Sequence, residues 1–143
     1  MGEMKVIAIA SDHAGFELKE IVKGEIRALG FEVDDLGTND TASVDYPDYA
    51  NRLCERIAAG GKGVLICGSG IGMSMAANRH KHVRAALCYN GLAATLSRKH
   101  NDANVLCLGA RLIGIDVAKD TLKQFLTTEF EGGRHAKRVE KLG

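Results

Sequence analysis

The stretch GVLICGSGIG, residues 63–72, decides the fold: five mostly apolar residues lead directly into a loop with glycine at alternate positions. A short, continuous apolar run bounded by glycine is typical of a strand buried in a parallel sheet. Similar runs occur at KVIAIAS (5–11), RAALC (84–88) and NVLCLG (104–109). FEVDDL (31–36) instead alternates apolar and acidic residues, which predicts a strand near the edge of the sheet.

Helical patterns separate these strands. Apolar residues recur at helical spacing within 18–29, 49–58, 91–100 and 115–126, and a further helix is expected to start after the glycine loop. Strands that alternate with helices predict an α/β protein. We therefore expect a single domain over residues 1–143, a three-layer α/β/α structure with a five-stranded parallel Rossmann-like sheet and a C-terminal helical extension. The order of the strands does not follow from the sequence.

The composition excludes several classes of protein. Nineteen Lys and Arg balance eighteen Asp and Glu, so no large basic field exists to bind nucleic acid or a membrane surface. No apolar run reaches the roughly 18 residues of a membrane span, and the apolar part of residues 1–10 is too short for a secretion signal. The four cysteines match no zinc pattern. We expect a cytoplasmic protein with free thiols.

Ligands of open α/β sheets bind at the carboxyl ends of the strands. The residues expected at that edge are Ser11-Asp12-His13, Cys67 to Gly72, Cys88-Tyr89-Asn90 and Gly109-Ala110-Arg111.

Cys67 and the glycines after it form the strongest local signal. Alternate glycines allow a tight turn that exposes backbone N–H groups to an anion, and a thiol at the start of a helix is favoured as thiolate. The alternative is a small buried residue that ends a strand. The loop matches neither the dinucleotide fingerprint nor the P-loop. The loop of a cysteine phosphatase resembles Cys, five residues and then Arg, and here Met73 stands in the place of that Arg. Cys54, Cys88 and Cys107 lie in helix or strand patterns and are interpreted as structural.

Two histidines have both a functional and a structural interpretation. Asp12 and His13 follow the first strand, where they would face a ligand, although Asp12 is also suited to cap the next helix beside a surface His13. His100 and Asn101 close the fourth helix, where a histidine commonly interacts with the helix dipole.

Charge is unevenly distributed along the chain. Residues 31–48 hold six acidic residues and no Lys or Arg, whereas residues 132–143 have a net charge of +3. If that tail is helical, Arg134 and Arg138 share a face and suit a phosphate, unless they are simply solvated. His80 and His82 precede the fourth strand, at the edge away from the ligand, where they are either a metal pair or solvated loop residues.

Together these residues resemble the type B ribose-5-phosphate isomerases, a family that also includes galactose- and allose-phosphate isomerases. The resemblance covers nearly the whole chain, in order. Its motifs are SDHAGFELK (11–19), VDYPDYA (44–50), ICGSGIGMSMAAN (66–78), SRKHNDANVL (97–106), GARLIG (109–114) and EGGRHAKRV (131–139).

The resemblance implies an aldose–ketose isomerase that needs neither metal nor cofactor and passes through a cis-enediolate. Cys67 matches the base, and His100, with Asp12 nearby, matches the group that opens the sugar ring. Some members instead carry an acid close to where Met73 stands, so this chain falls in the thiol subgroup. Ser69 stands where many members have Thr, and either hydroxyl can relay a proton.

The resemblance also implies how substrate is bound. Tyr46 matches a residue that lines the sugar site, and His13, Arg134, Arg138 and Arg111 match phosphate ligands. The amides of Gly68 to Gly72 are expected to form an oxyanion hole. The complete substrate-binding set is His13, Tyr46, Gly68, Gly70, Ile71, Gly72, Asn101, Arg111, Arg134, His135 and Arg138. About residues 131–143 would pack on a partner subunit, which predicts a homodimer, or a tetramer built from it, with composite active sites.

Three alternatives remain at this point. A hexose 6-phosphate isomerase (allose or galactose) would use the same catalytic residues with a deeper pocket. A small doubly wound binding module, such as a phosphorelay receiver or a flavin carrier, fits poorly. The pattern that resembles a receiver has an Asp after the third strand and a Lys after the fifth, and here Cys67 and Arg111 stand in those places. A non-catalytic subunit retained for assembly would not need the base, the histidine and the arginines together.

Overall fold

The computed structural model describes residues 5–143, and at its centre is one parallel sheet of five strands. The strands are β1 (Val6–Ser11), β2 (Glu32–Asp35), β3 (Lys62–Cys67), β4 (Ala85–Leu87) and β5 (Val105–Gly109). Their spatial order is β2-β1-β3-β5-β4. The apolar runs at 5–11, 63–67 and 104–109 thus form the three central strands, and the alternating segment 31–36 forms an edge strand, as predicted.

Six helices connect or follow the strands. They are α1 (Phe16–Ala28), α2 (Tyr46–Arg56), α3 (Ile71–Ala77), α4 (Gly91–Asn101), α5 (Ile115–Thr127) and α6 (Arg134–Glu140). The predicted fold class, a three-layer α/β/α structure with a C-terminal helical extension, is confirmed. None of the helices in residues 5–143 combines the length and the apolar character that a bilayer span requires.

The core has two halves because successive side chains of a strand point to opposite faces of the sheet. In β3, Val64 and Ile66 belong to the cluster under α1, α4 and α5, whereas Leu65 and Cys67 belong to the cluster under α2 and α3. All four side chains are buried. Cys67 therefore has its backbone in the core strand and lies on the α2–α3 face at the carboxyl edge.

The position of β5 in the sheet cannot be predicted from the order of the strands along the chain. β5 pairs with β3 on one side and with β4 on the other, with Cys67 opposite Gly109. β1 lies on the other side of β3, with Ser11 opposite Ile66. The carboxyl ends of β1, β3 and β5 are thus adjacent, and the segments after them meet at one place.

Candidate functional site

The loop after β3 holds the Cys67 sulfur against its own backbone. The amide of Gly70 donates a hydrogen bond to Cys67 Sγ at 3.2 Å, so a backbone dipole points at the sulfur. The next amide, of Ile71, donates to Ser69 Oγ at 3.1 Å. This leaves the Ser69 hydroxyl proton free to donate to a ligand.

Gly70 is required where it stands. Its φ is +80°, and an added Cβ would lie 2.6 Å from Leu87 Cδ1 and 3.0 Å from the carbonyl oxygen of Leu108. Only glycine satisfies both the left-handed backbone and this close approach to β4 and β5. Gly70 is buried and Ile71 is exposed, and neither lines the cleft described below; their expected contact with substrate stays a prediction. The backbone amides of Gly70 and Ile71 already donate hydrogen bonds within the loop. Within residues 68–72 of the described chain, only the amides of Gly68, Ser69 and Gly72 therefore have no hydrogen-bond partner.

Asp12 and His13 follow β1 at the same edge of the sheet. Asp12 is 7% exposed, and its Oδ1 accepts a hydrogen bond from the amide of Gly15 at 3.1 Å. This bond stabilises the turn before α1, whereas the N-cap of the helix itself is Gly15, which has no side-chain cap, so Asp12 does not cap the helix. The amide of Val44 donates to His13 Nδ1 at 3.1 Å. This bond places the proton of a neutral His13 ring on Nε2, which makes Nε2 a hydrogen-bond donor.

The three strand ends enclose a cleft of about 310 Å³. Arg111 is held beside the loop, because its amide donates to the carbonyl of Gly68 at 2.9 Å. Its guanidinium covers Gly68, where an added Cβ would lie 3.3 Å from Arg111 Nη1. Tyr46, at the start of α2, packs its ring against Gly72. The lining residues are Asp12, Tyr46, Cys67, Gly68, Ser69, Gly72, Arg111 and Leu112.

Seven of those eight residues were predicted from the sequence, and Leu112 was not. Leu112 is 57% exposed, which is unusual for a large apolar side chain directly after a core strand. Its place inside the motif GARLIG, next to Arg111, is the signal that points to it.

A second group of predicted residues lies elsewhere. His100, Asn101, His135 and Arg138 line a separate pocket of about 330 Å³ together with Val139 and Leu142. The rings of His100 and His135 stack, with centroids 4.4 Å apart and an interplanar angle of 17°. Burial, and then the charges of His100 and Arg134, lower the pKa of His135. Val139 and Leu142 were not predicted.

The two groups occupy opposite edges of the sheet within one chain. The helix α4 starts after β4, at the carboxyl edge, and its eleven residues span about 16 Å back to the amino edge before β5 begins. His100 therefore ends up away from Asp12 and Cys67. Within a single chain Asp12 and His100 are thus separated, because the helix that carries His100 runs antiparallel to the strands. Arg134, at the start of α6, is exposed.

The remaining cysteines and histidines have structural surroundings. Burial raises the pKa of the Cys54 and Cys88 thiols to about 11 and that of Cys107 well above its ordinary value. His80 Nε2 lies 2.8 Å from Asn51 Oδ1, and His82 Nε2 lies 2.7 Å from the carbonyl oxygen of Cys54. The two imidazoles are thus engaged separately, which does not support the alternative of a metal pair.

Residues 7–142 match the sequence model of a family described as ribose/galactose isomerase. The chain belongs to this ribose/galactose isomerase family. Family membership confirms the resemblance and the prediction of an aldose–ketose isomerase, and it argues against the receiver and flavin-carrier alternatives.

Individual members of the family are similar over their whole length. Ribose-5-phosphate isomerase B of Escherichia coli is 43% identical over 141 residues, which cover 97% of this chain and 95% of that protein. The structure of ribose 5-phosphate isomerase B from Anaplasma phagocytophilum is 54% identical, with a TM-score of 0.93 and coverage of 99% of this chain and 100% of that one. The Thermotoga maritima structure is 50% identical, with a TM-score of 0.94 and coverage of 98% of both chains.

Proposed function

We propose that this protein interconverts ribose 5-phosphate and ribulose 5-phosphate through a cis-enediolate, with Cys67 as the base. The observation that carries the proposal is the cleft at the ends of β1, β3 and β5, where a thiol, a carboxylate and a guanidinium line one space. The names of the E. coli, A. phagocytophilum and T. maritima relatives support the pentose phosphate as substrate.

The chemistry places each group of the cleft in a role. The Cys67 thiolate removes the proton from C2 of the open-chain aldose, and the electron pair moves into an enediolate spanning C1 and C2. The thiol then returns a proton to C1, which yields the ketose. The free amides of Gly68, Ser69 and Gly72 stabilise the enediolate oxygen, and each such donor is worth about 3–4 kcal/mol in other enzymes. The Ser69 hydroxyl, with its proton free, relays a proton between the two oxygens.

The substrate phosphate is held away from the reacting carbons. His13 donates from Nε2, and Arg111 supplies charge-assisted hydrogen bonds from the same chain. Binding at the phosphate fixes C1 and C2 next to the sulfur, which raises the rate without new chemistry at the reacting atoms.

The ring-opening group and the remaining phosphate ligands come from a second subunit. His100, Asn101, Arg134, His135 and Arg138 lie at the amino edge of their own sheet, so in one chain they do not reach the cleft. The helix α4 starts at the carboxyl edge. A two-fold axis across α4 would therefore place the partner's copy of its C-terminal end at this chain's carboxyl edge.

Exposed apolar side chains support such a pairing. Ile71 and Met75 lie one turn apart on α3, and Leu92 and Leu96 lie one turn apart on α4. Met75 and Leu92 are 63% and 69% exposed, which is unfavourable in water. A homodimer that covers these side chains completes two composite active sites, and pairs of dimers would give the tetramer.

Proton NMR of ribose 5-phosphate in heavy water tests the proposal, with Cys67→Ala and, as a matched loss of a thiol elsewhere, Cys54→Ala. We expect isomerisation with deuterium entering at the exchanging carbon for the wild type and Cys54→Ala only. Activity that survives in Cys67→Ala would remove Cys67 from the role of base. Turnover of allose or galactose 6-phosphate, but not of ribose 5-phosphate, would reassign the substrate.

A further inference from the structure

Three potential metal ligands converge beside the start of α6. Suitable atoms of His100, Glu131 and His135 all lie within 4.8 Å of one another. The closest pair is His135 Nε2 and Glu131 Oε1, 3.6 Å apart. Two ligands bound tetrahedrally to one zinc ion at about 2.0–2.1 Å would be separated by about 3.4 Å. This pair therefore already has nearly the spacing that a shared ion requires.

The buried imidazole of His135 lacks a hydrogen-bond partner at Nε2. Its side chain is only 9% exposed, and Nε2 makes no hydrogen bond within the described residues. Buried polar atoms are normally satisfied, so this nitrogen is free to bind a ligand: the substrate phosphate during turnover, or an ion when substrate is absent.

His100 is free to complete the set. The stacked rings of His100 and His135 are nearly parallel, so they cannot direct lone pairs to one point without a rotation. No hydrogen bond within residues 5–143 holds the His100 ring, and the residue is only partly buried. A turn about its side-chain torsions would direct one ring nitrogen towards an ion bound by His135 and Glu131.

We propose that His100, Glu131 and His135 form a binding site for a divalent transition-metal ion of the zinc class. Binding of this ion inhibits the enzyme. Two imidazoles and one carboxylate are a zinc ligand set, with the fourth position left to water. Arg134 and Arg138 repel any cation here. The site therefore favours metals that form strong bonds to imidazole over magnesium and calcium, which prefer oxygen ligands.

Inhibition follows from the identity of one ligand. A metal bound to a ring nitrogen of His100 occupies the lone pair that accepts or delivers the proton in ring opening. This half of the inference rests on the proposed function, whereas metal binding does not.

Binding is measured on the full-length protein by competition for Zn²⁺ with a chromophoric chelator. We expect one Zn²⁺ per chain, binding at least about tenfold weaker in Glu131→Gln, since even outer partners of metal ligands contribute 10- to 100-fold. The matched control is Glu140→Gln, an exposed acid on α6, with unchanged affinity. Equal affinity in Glu131→Gln would overturn the site. A thiolate charge-transfer band in the Co²⁺-loaded protein would also overturn it, since cysteines would then be the ligands.

Activity tests the inhibitory half. Metal-free Glu131→Gln should turn over sugar phosphate like the wild type, yet need at least about ten times more Zn²⁺ for half-inhibition. Wild-type activity unaffected at saturating Zn²⁺ would refute inhibition. A wild type without activity on any sugar phosphate would refute the proposed function, while the chelator competition still decides the metal site.

Discussion

Lys19 is a fully buried lysine, and its charge is balanced chiefly by Asp35. Its Nζ lies 2.6 Å from Asp35 Oδ2 and 3.0 Å from Glu20 Oε2, and Glu20 is 45% exposed. Asp35 has further partners: Lys23 donates to Oδ2 at 2.7 Å, and the amide of Gly37 donates to Oδ1 at 2.9 Å. The two members of the pair therefore depend on each other unequally.

We expect Asp35→Asn to cost about 3 kcal/mol of unfolding free energy, because a buried Lys19 would lose its main counter-charge. Lys19→Met should cost less, since Asp35 keeps Lys23 and the Gly37 amide. Adding Asp35→Asn to Lys19→Met should then cost about 1 kcal/mol, as no buried charge is stranded. The matched control, Asp34→Asn, removes an acid paired with the exposed Arg56 and should cost less than about 1 kcal/mol.

Urea unfolding followed by far-UV circular dichroism measures these free energies at one fixed protein concentration, since the chain has no tryptophan. Equal costs for Asp35→Asn in the wild-type and Lys19→Met backgrounds would refute the reasoning, because they would show no coupling between the two side chains.

The pH dependence checks the same pair. Burial alone would raise the pKa of Asp35, but hydrogen bonds from Lys19, Lys23 and Gly37 outweigh it and lower the pKa. A lowered folded-state pKa stabilises the fold above the ordinary value and loses that contribution as the pH falls. The wild type should therefore lose stability below about pH 4 more steeply than Asp35→Asn.

Three further predictions concern the site. Inactive Cys67→Ala and His100→Ala subunits are mixed equally, unfolded and refolded together, and should regain about a quarter of wild-type activity. Half of the dimers are then mixed, and each mixed dimer holds one intact site of two. No recovery would mean that both residues act from one chain. At pH 9, iodoacetamide should modify one thiol of the native protein rapidly, since burial raises the pKa of Cys54 and Cys88 to about 11 and that of Cys107 well above its ordinary value. Mass spectrometry that finds any of these three modified as fast as Cys67 would contradict the reasoning. Truncation after Phe130 should impair turnover without loss of the circular dichroism of the sheet, and unchanged kcat/KM would exclude a role for the tail.

The sequence by itself determined the elements and one half of the site. Apolar runs such as GVLIC are long enough for a strand and too short for a helix, and their continuity reflects burial on both faces of the sheet. The segments that follow such strands necessarily share an edge. The sequence alone therefore places Asp12, Cys67 and Arg111 together, because that placement depends only on local pattern and the direction of parallel strands.

Tertiary structure alone decided how those segments face one another. The insertion of β5 between β3 and β4 brings Arg111 and Leu112 to the Cys67 loop, and strand order is set by packing between distant segments. The direction of α4 places His100 at the far edge of the sheet, although the sequence motif that contains His100 predicts that it belongs to the same site as Cys67. The amides of Gly70 and Ile71 are taken by Cys67 and Ser69, since hydrogen bonds depend on the loop's three-dimensional path. Sequence patterns report periodicity and burial, whereas distances between segments arise only when the whole chain packs.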